Sequence, residues 1–122
     1  MLVCDDEPVL RALARAALEG VCTVVEARDG EEALAMAARV RPDLVLLDMM
    51  MPGRSGLDVV GELRSEGLLA GVPVVMLTAR AQASDQEAAL AAGVDLFISK
   101  PFSPAELAEV VSDLLGRKRD NA

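Results

Sequence analysis

The chain has 122 residues, 52% of them apolar, with 12 basic and 20 acidic side chains that leave a net charge of −8. That length makes one domain with a real core, while the acidic balance and scattered Lys and Arg exclude direct nucleic-acid binding by this segment, and no apolar run is long enough to span a membrane. The lack of histidine and of any CxxC spacing excludes a zinc or haem site, and with Phe97 and Phe102 as the only aromatics there is no platform for stacking bases or flat cofactors.

The first strand is predicted at Met1 to Cys4, with so little lead-in that a residue or two is expected to be trimmed from its front. Asp5, Asp6 and Glu7 follow at once, too early for a signal peptide, so the chain is expected to be cytoplasmic. Pro8 suits the first turn of a helix whose apolar face is Leu10, Leu13, Ala14, Ala17 and Leu18, and Gly20 stops it. Val21 to Ala27 reads as the second strand, with Cys22 inside it; both Cys22 and Cys4 are expected to be small core residues. Asp29-Gly30 turns into a helix with Ala33, Leu34, Ala37 and Ala38 on one side, which Pro42-Asp43 breaks.

Leu44 to Leu47 is an uninterrupted apolar run that ends on Asp48 and is followed by Met49-Met50-Met51-Pro52-Gly53. A run of this kind bounded by turn residues reads as a strand buried on both faces, and it puts Asp48 at the strand's C-terminal end. Leu57, Val60 and Leu63 mark a third helix ending near Gly67, and Val72 to Thr78 is the fourth strand, with Pro73 near its start. Ser84 to Glu87 has a capping-box pattern for a fourth helix that closes at Gly93. Asp95 to Ser99 is the fifth strand, and Ser103-Pro104-Ala105-Glu106 starts a last helix through Leu107, Val110, Val111, Leu114 and Leu115 that Gly116 should end.

Strict alternation of five strands and five helices predicts an α/β fold with one doubly wound parallel sheet of flavodoxin-like topology, strand order 2-1-3-4-5. The domain is expected to run over 1–116, with 117–122 a polar tail or the start of a linker. In that order the first and third strands flank the switch point, so Asp5, Asp6 and Asp48 meet at one sheet edge. Two carboxylates about 4 Å apart repel by roughly 4 kcal/mol at an effective dielectric of 20, so such a trio needs protons, water or a cation. Oxygen ligands alone select a hard cation, and few carboxylates with open positions suit Mg²⁺ better than Ca²⁺. Thr78 and Lys100, one of two lysines, fall at the same edge. Taken singly, Asp48 is an ordinary helix cap, Thr78 a β-branched strand residue and Lys100 a solvated side chain. Together they are equipment for phosphoryl transfer, with Asp48 as nucleophile.

The set Asp5-Asp6-Glu7, Asp48 to Gly56, Thr78-Ala79 and Lys100-Pro101-Phe102 resembles the receiver domain of two-component response regulators over essentially the whole chain. The resemblance implies that Asp48 is the phosphoacceptor, taking its group from a phosphohistidine on a sensor histidine kinase or phosphotransfer protein. It implies that Asp6, Asp48 and the Met50 backbone carbonyl bind Mg²⁺ directly, with Asp5 acting through water. Lys100 pairs with the phosphoryl group, the Lys100-Pro101 bond is cis, and Thr78 and Phe97 are the switch residues that remodel the face of helix four, strand five and helix five. Phe97 departs from the tyrosine that many members carry, which leaves its switching to packing. Met50 and Arg80 occupy positions that vary in the family and bear on phosphoryl lifetime, and Met50 is expected to shield the acyl phosphate. Such a module catalyses only its own phosphorylation and dephosphorylation. It is expected to be a monomer or a phosphorylation-dependent homodimer, and either stands alone or has an output domain beyond residue 122.

Three other functions would leave different marks in the sequence. An aspartate-nucleophile phosphohydrolase would want an acid where Met50 stands, and a flavin module would want phosphate-cradling donors at the acidic strand ends. A degenerate receiver used only for docking would not need the whole acceptor set.

Overall fold

The computed structural model describes residues 1–51, 53–78, 83–100 and 102–120; within its helices, nothing is drawn from the side chains of 83–86, 88 and 117–120. Pro52, Arg80 and Pro101, on which the turn, lifetime and cis-peptide expectations rest, lie outside the described residues. The elements are β1 (Leu2–Cys4), α1 (Pro8–Ala17), β2 (Val25–Ala27), α2 (Gly30–Val40), β3 (Val45–Asp48), α3 (Gly56–Ser65), β4 (Val74–Thr78), α4 (Ala83–Ala92), β5 (Leu96–Ser99) and α5 (Pro104–Asp120). Every strand pair is parallel and the order is β2-β1-β3-β4-β5, as the alternation predicts.

The central strands are apolar because both of their faces are covered. Leu2, Cys4, Val45, Leu47, Val74 and Met76 face a cluster completed by α2 and α3 through Ala33, Ala37, Val59, Val60 and Leu63. Val3, Leu46, Val75 and Leu77 face the other way, against Ala14, Leu107, Val111 and Leu114 of α1 and α5. Each fully buried Leu or Val in these layers contributes roughly 1.5–3 kcal/mol relative to exposure, so the sheet's position is strongly specified.

Six local expectations need correction. Val21 to Val24 are not strand: Gly20 has φ +82°, and the amides of Val21 and Cys22 both bond to Leu18 O, which keeps the chain in a turn. Only Val25 to Ala27 can pair, because β1 offers three residues in register with them. Cys22 is therefore a half-buried loop residue, not part of a buried strand. Leu13, placed on the apolar face of α1, is 38% exposed, and Ala38 of α2 is exposed as well. Ser84 falls inside α4, which already begins at Ala83, and Gly116 does not end α5, which continues to Asp120. A glycine inside a helix costs about 1 kcal/mol relative to alanine, which weakens a helix without stopping it.

The helix starts fix the loops at the C-terminal sheet edge. Asp29 caps α2 by accepting from Glu32 N at 2.8 Å, and Ser103 caps α5 by accepting from Glu106 N at 3.0 Å. A reciprocal capping box that the sequence reading passed over joins Ser55 and Asp58 at the start of α3.

Candidate functional site

The β1 ladder stops at Cys4, and the next amide, Asp5 N, still bonds to Ala27 O of β2 at 3.2 Å. That bond turns the Asp5 side chain inward, where it is completely buried, while Asp6 beside it is exposed. Asp48 ends β3 and is only 3% exposed. One carboxylate oxygen from each of the three lies within 4.8 Å of the others, so the strand order brings together the acids that the sequence placed at one edge.

Lys100, the residue after β5, reaches into this trio. Its Nζ is 3.1 Å from Asp48 Oδ1, 3.2 Å from Asp5 Oδ2 and 3.8 Å from Glu7 Oε1. Its backbone is fixed from the other side, with Lys100 N donating to Thr78 O at 2.8 Å. Thr78 ends β4 in register with Ser99 of β5 and is 3% exposed. Thus Asp5, Asp6, Asp48, Thr78 and Lys100 all stand at the same sheet edge.

The charges in the pocket do not balance. Burial pushes the Asp48 carboxyl up, the charge of Asp5 adds to that, and Lys100 and the Met50 N–H pull it back, leaving its pKa raised from 3.8 to about 6. Burial alone would lower the Lys100 ammonium, but Asp48 and Asp5 outweigh it and hold its pKa above the ordinary lysine value. Beneath them the Cys4 thiol is pushed up to about 12, by burial first and then by the charges of Asp29, Asp5 and Asp48, so it is an inert core group. Cys4 Sγ packs 3.4 Å from both Met51 Sδ and Asp29 O.

Asp5 Oδ2 is buried and takes no aligned hydrogen bond; its contact with Lys100 is an ion pair only. A buried carboxylate oxygen with spare acceptor capacity, beside two more carboxylates, suits a hard cation with oxygen ligands. The acidic trio is consistent with the metal site of a receiver domain.

The three methionines after Asp48 separate by side. Met49 and Met51 are buried at 7% and 8% exposure and fill the core, whereas Met50 is 76% exposed and its N–H reaches Asp48 Oδ1 at 3.3 Å. The junction behind them is tight: a Cβ on Gly56 would lie 2.5 Å from Asp48 O. Phe97 is half-buried on β5, opposite Met76, and packs against the α2–α3 side of the core.

Two residues bearing on the pocket were given no role from the sequence. Glu7 contacts Lys100 from the first turn, and its place directly after Asp5-Asp6 was a usable signal. Arg11 Nη1 donates to Asp5 O at 2.8 Å, and no sequence signal marked it, because its carboxylate partner Glu26 is fifteen residues away on β2.

Residues 1–112 match the family model described as "Response regulator receiver domain". The chain is 47% identical over 119 residues to the "Probable transcriptional regulatory protein TcrX" of Mycobacterium tuberculosis, covering 96% of this chain and 50% of that protein. It is 43% identical over 122 residues to the "DNA-binding response regulator MtrA" of Mycolicibacterium smegmatis, covering 98% and 52% respectively. The chain thus spans about half the length of the curated relatives it matches. Among solved structures, the Vibrio cholerae chemotaxis protein CheY4 superposes with a TM-score of 0.88 at 29% identity, covering 93% of this chain and 95% of that one. No helix among the described residues is long and apolar enough to cross a membrane. An acidic pocket at the switch point of a 2-1-3-4-5 sheet, a lysine bridging it, and a family match over nearly the whole length lead to one conclusion: the chain belongs to the response regulator receiver domain family, signalling modules rather than classical enzymes.

Proposed function

We propose that this domain accepts a phosphoryl group on Asp48, drawn from a phosphohistidine of a sensor histidine kinase or a phosphotransfer protein, with Mg²⁺ as cofactor. The observation that carries the reading is one ammonium shared by two buried carboxylates, Lys100 Nζ lying 3.1 Å from Asp48 and 3.2 Å from Asp5. A structural ion pair needs one carboxylate. A second, with one buried oxygen left without an aligned hydrogen bond, is what a phosphoryl-transfer site keeps for a cation.

Asp6, Asp48 and the Met50 carbonyl would hold the ion, with Asp5 acting through water. When bound, the ion neutralises charge on the phosphoryl oxygens. A carboxylate oxygen of Asp48 attacks phosphorus, the P–N bond of the donor breaks, and its electron pair returns to the imidazole nitrogen. Lys100 exchanges its contact with the free carboxylate for one with the phosphoryl oxygens, so its charge stays paired throughout. The Thr78 hydroxyl, at the end of β4, takes up a phosphoryl oxygen, and Phe97 follows it inward by packing. The relatives' names describe DNA-binding and transcriptional regulators about twice as long, which supports an output domain as the reader of the switched face.

The test is incubation with Mg²⁺ and a small acyl phosphate, followed by intact mass. The expected result is one added phosphoryl group, labile to alkali and absent in Asp48→Asn. A protein that stays unmodified with donor and ion in excess refutes the reading.

A further inference from the structure

We infer that Arg11 is a positioning residue for the cation site, acting through the backbone of Asp5; the inference rests on the metal-dependent reading above. Asp5 is held at three points. Its amide donates to Ala27 O, its Oδ1 accepts from Glu7 N at 2.9 Å, and its carbonyl accepts from Arg11 Nη1 at 2.8 Å. The first tie joins main chain to main chain at the strand edge, and the second joins the Asp5 side chain to the Glu7 amide at the helix start. The third is the only side-chain contact on the Asp5 backbone among the described hydrogen bonds, and it comes from a side chain that is 14% exposed.

That guanidinium is itself fixed. Arg11 Nε pairs with Glu26 Oε1 at 3.3 Å, and Glu26 is also held by Arg15 at 2.8 Å, so one carboxylate on β2 carries two arginines of α1. A planar fork serves Glu26 with one edge and the Asp5 carbonyl with another in a fixed geometry, whereas an ammonium on a flexible stem would hold the two acceptors less rigidly. The arrangement ties the β1–α1 junction to β2 and sets the direction in which Asp5 and Asp6 leave the sheet. Partners bonded directly to a metal's ligands typically change metal affinity by about 10–100-fold when removed, and Arg11, which holds a residue that acts through water, belongs at the low end of that range.

Net charge and positioning predict opposite signs. Removing the Arg11 cation makes the pocket more negative, so if charge alone mattered Arg11→Gln would bind a divalent cation more tightly. If Arg11 positions Asp5, the same change weakens binding. Glu26→Gln is the complementary control, because it loosens α1 from β2 while leaving Arg11 free to hold the Asp5 carbonyl.

The experiment is a Mn²⁺ titration of the folded protein, read by loss of the free-ion signal in electron paramagnetic resonance, with urea midpoints in EDTA measured alongside. Arg11→Gln is expected to weaken Mn²⁺ binding about tenfold. Arg11→Lys should be intermediate and Glu26→Gln within about twofold of the parent protein, although all three lower the urea midpoint. Unchanged or tighter binding by both Arg11 variants overturns the inference. So does an equal loss in Glu26→Gln, which would make the effect one of helix docking. A parent protein that binds no Mn²⁺ overturns the metal-dependent reading and this inference with it. Normal parent binding with unaffected Arg11 variants overturns this inference alone.

Discussion

Replacing Asp48 by asparagine should make the cation-free protein more stable, by an amount that the pocket's electrostatics set. The Asp48 carboxyl is raised from 3.8 to about 6 in the fold, by burial first and by Asp5 second. Between these values the folded chain holds a proton that the unfolded chain has released, so stability falls as pH rises through the window and the full cost is present above it. Two pKa units correspond to about 3 kcal/mol with the pull of Lys100 already included, an upper figure because water reaching the pocket screens these charges. Asparagine mimics the neutral acid at all pH values. The variant should therefore gain about 1–3 kcal/mol over the parent near pH 7.5 in EDTA, and nothing near pH 4. The assay is urea unfolding followed by far-ultraviolet circular dichroism, since the chain has no Trp or Tyr to report by fluorescence. Mg²⁺ at about ten times its dissociation constant should add roughly 1.4 kcal/mol to the parent and less to the variant, which narrows the gap. An Asp48→Asn protein no more stable than the parent at neutral pH, or one whose advantage persists at acid pH, refutes the account of a strained acidic pocket.

Gly56→Ala should lose about 1–3 kcal/mol, because its Cβ would meet Asp48 O at 2.5 Å and Met76 Sδ at 2.9 Å. Gly61→Ala, in the same helix with nothing within 4 Å, should instead gain about 0.5–1 kcal/mol, and urea midpoints of the pair check the contrast. Met50→Asn replaces a 76% exposed apolar side chain beside the acceptor with a polar one and should shorten the half-life of phosphorylated protein, followed by intact mass after donor removal. An unchanged half-life means that the side chain does not shield the acyl phosphate.

The parts of the fold that were legible in the sequence are those in which local pattern and burial agree. Leu44 to Asp48 reads as a buried strand because both of its faces are covered, and the acid that ends it is forced to the sheet edge. The same logic located Asp5, Thr78 and Lys100, since each follows or ends an apolar run whose neighbour in space is fixed by alternation. Pattern failed where the partner decides. Val21, Cys22 and Val24 are as strand-like as Val25, yet β1 is only three residues long and leaves them nothing to pair with. Leu13 has helical spacing with Leu10 and Ala14, but the faces of α1 and α5 meet closer to Ala14 and Leu18. Arg11 was invisible for a similar reason: its meaning depends on Glu26 and on the Asp5 carbonyl, which only the folded sheet brings to it.

The absence of a side chain at Gly56 has a mechanical consequence. Main chain and thioether close on that position so tightly that the floor under Asp48 has no slack toward α3. A floor that cannot yield makes the pocket asymmetric, stiff below and on one flank, open at Asp6, and bounded across the way by the hydroxyl end of β4. Bulk introduced at the carboxylate cannot be taken up toward α3, which leaves the open side at Asp6 and the end of β4 to receive it.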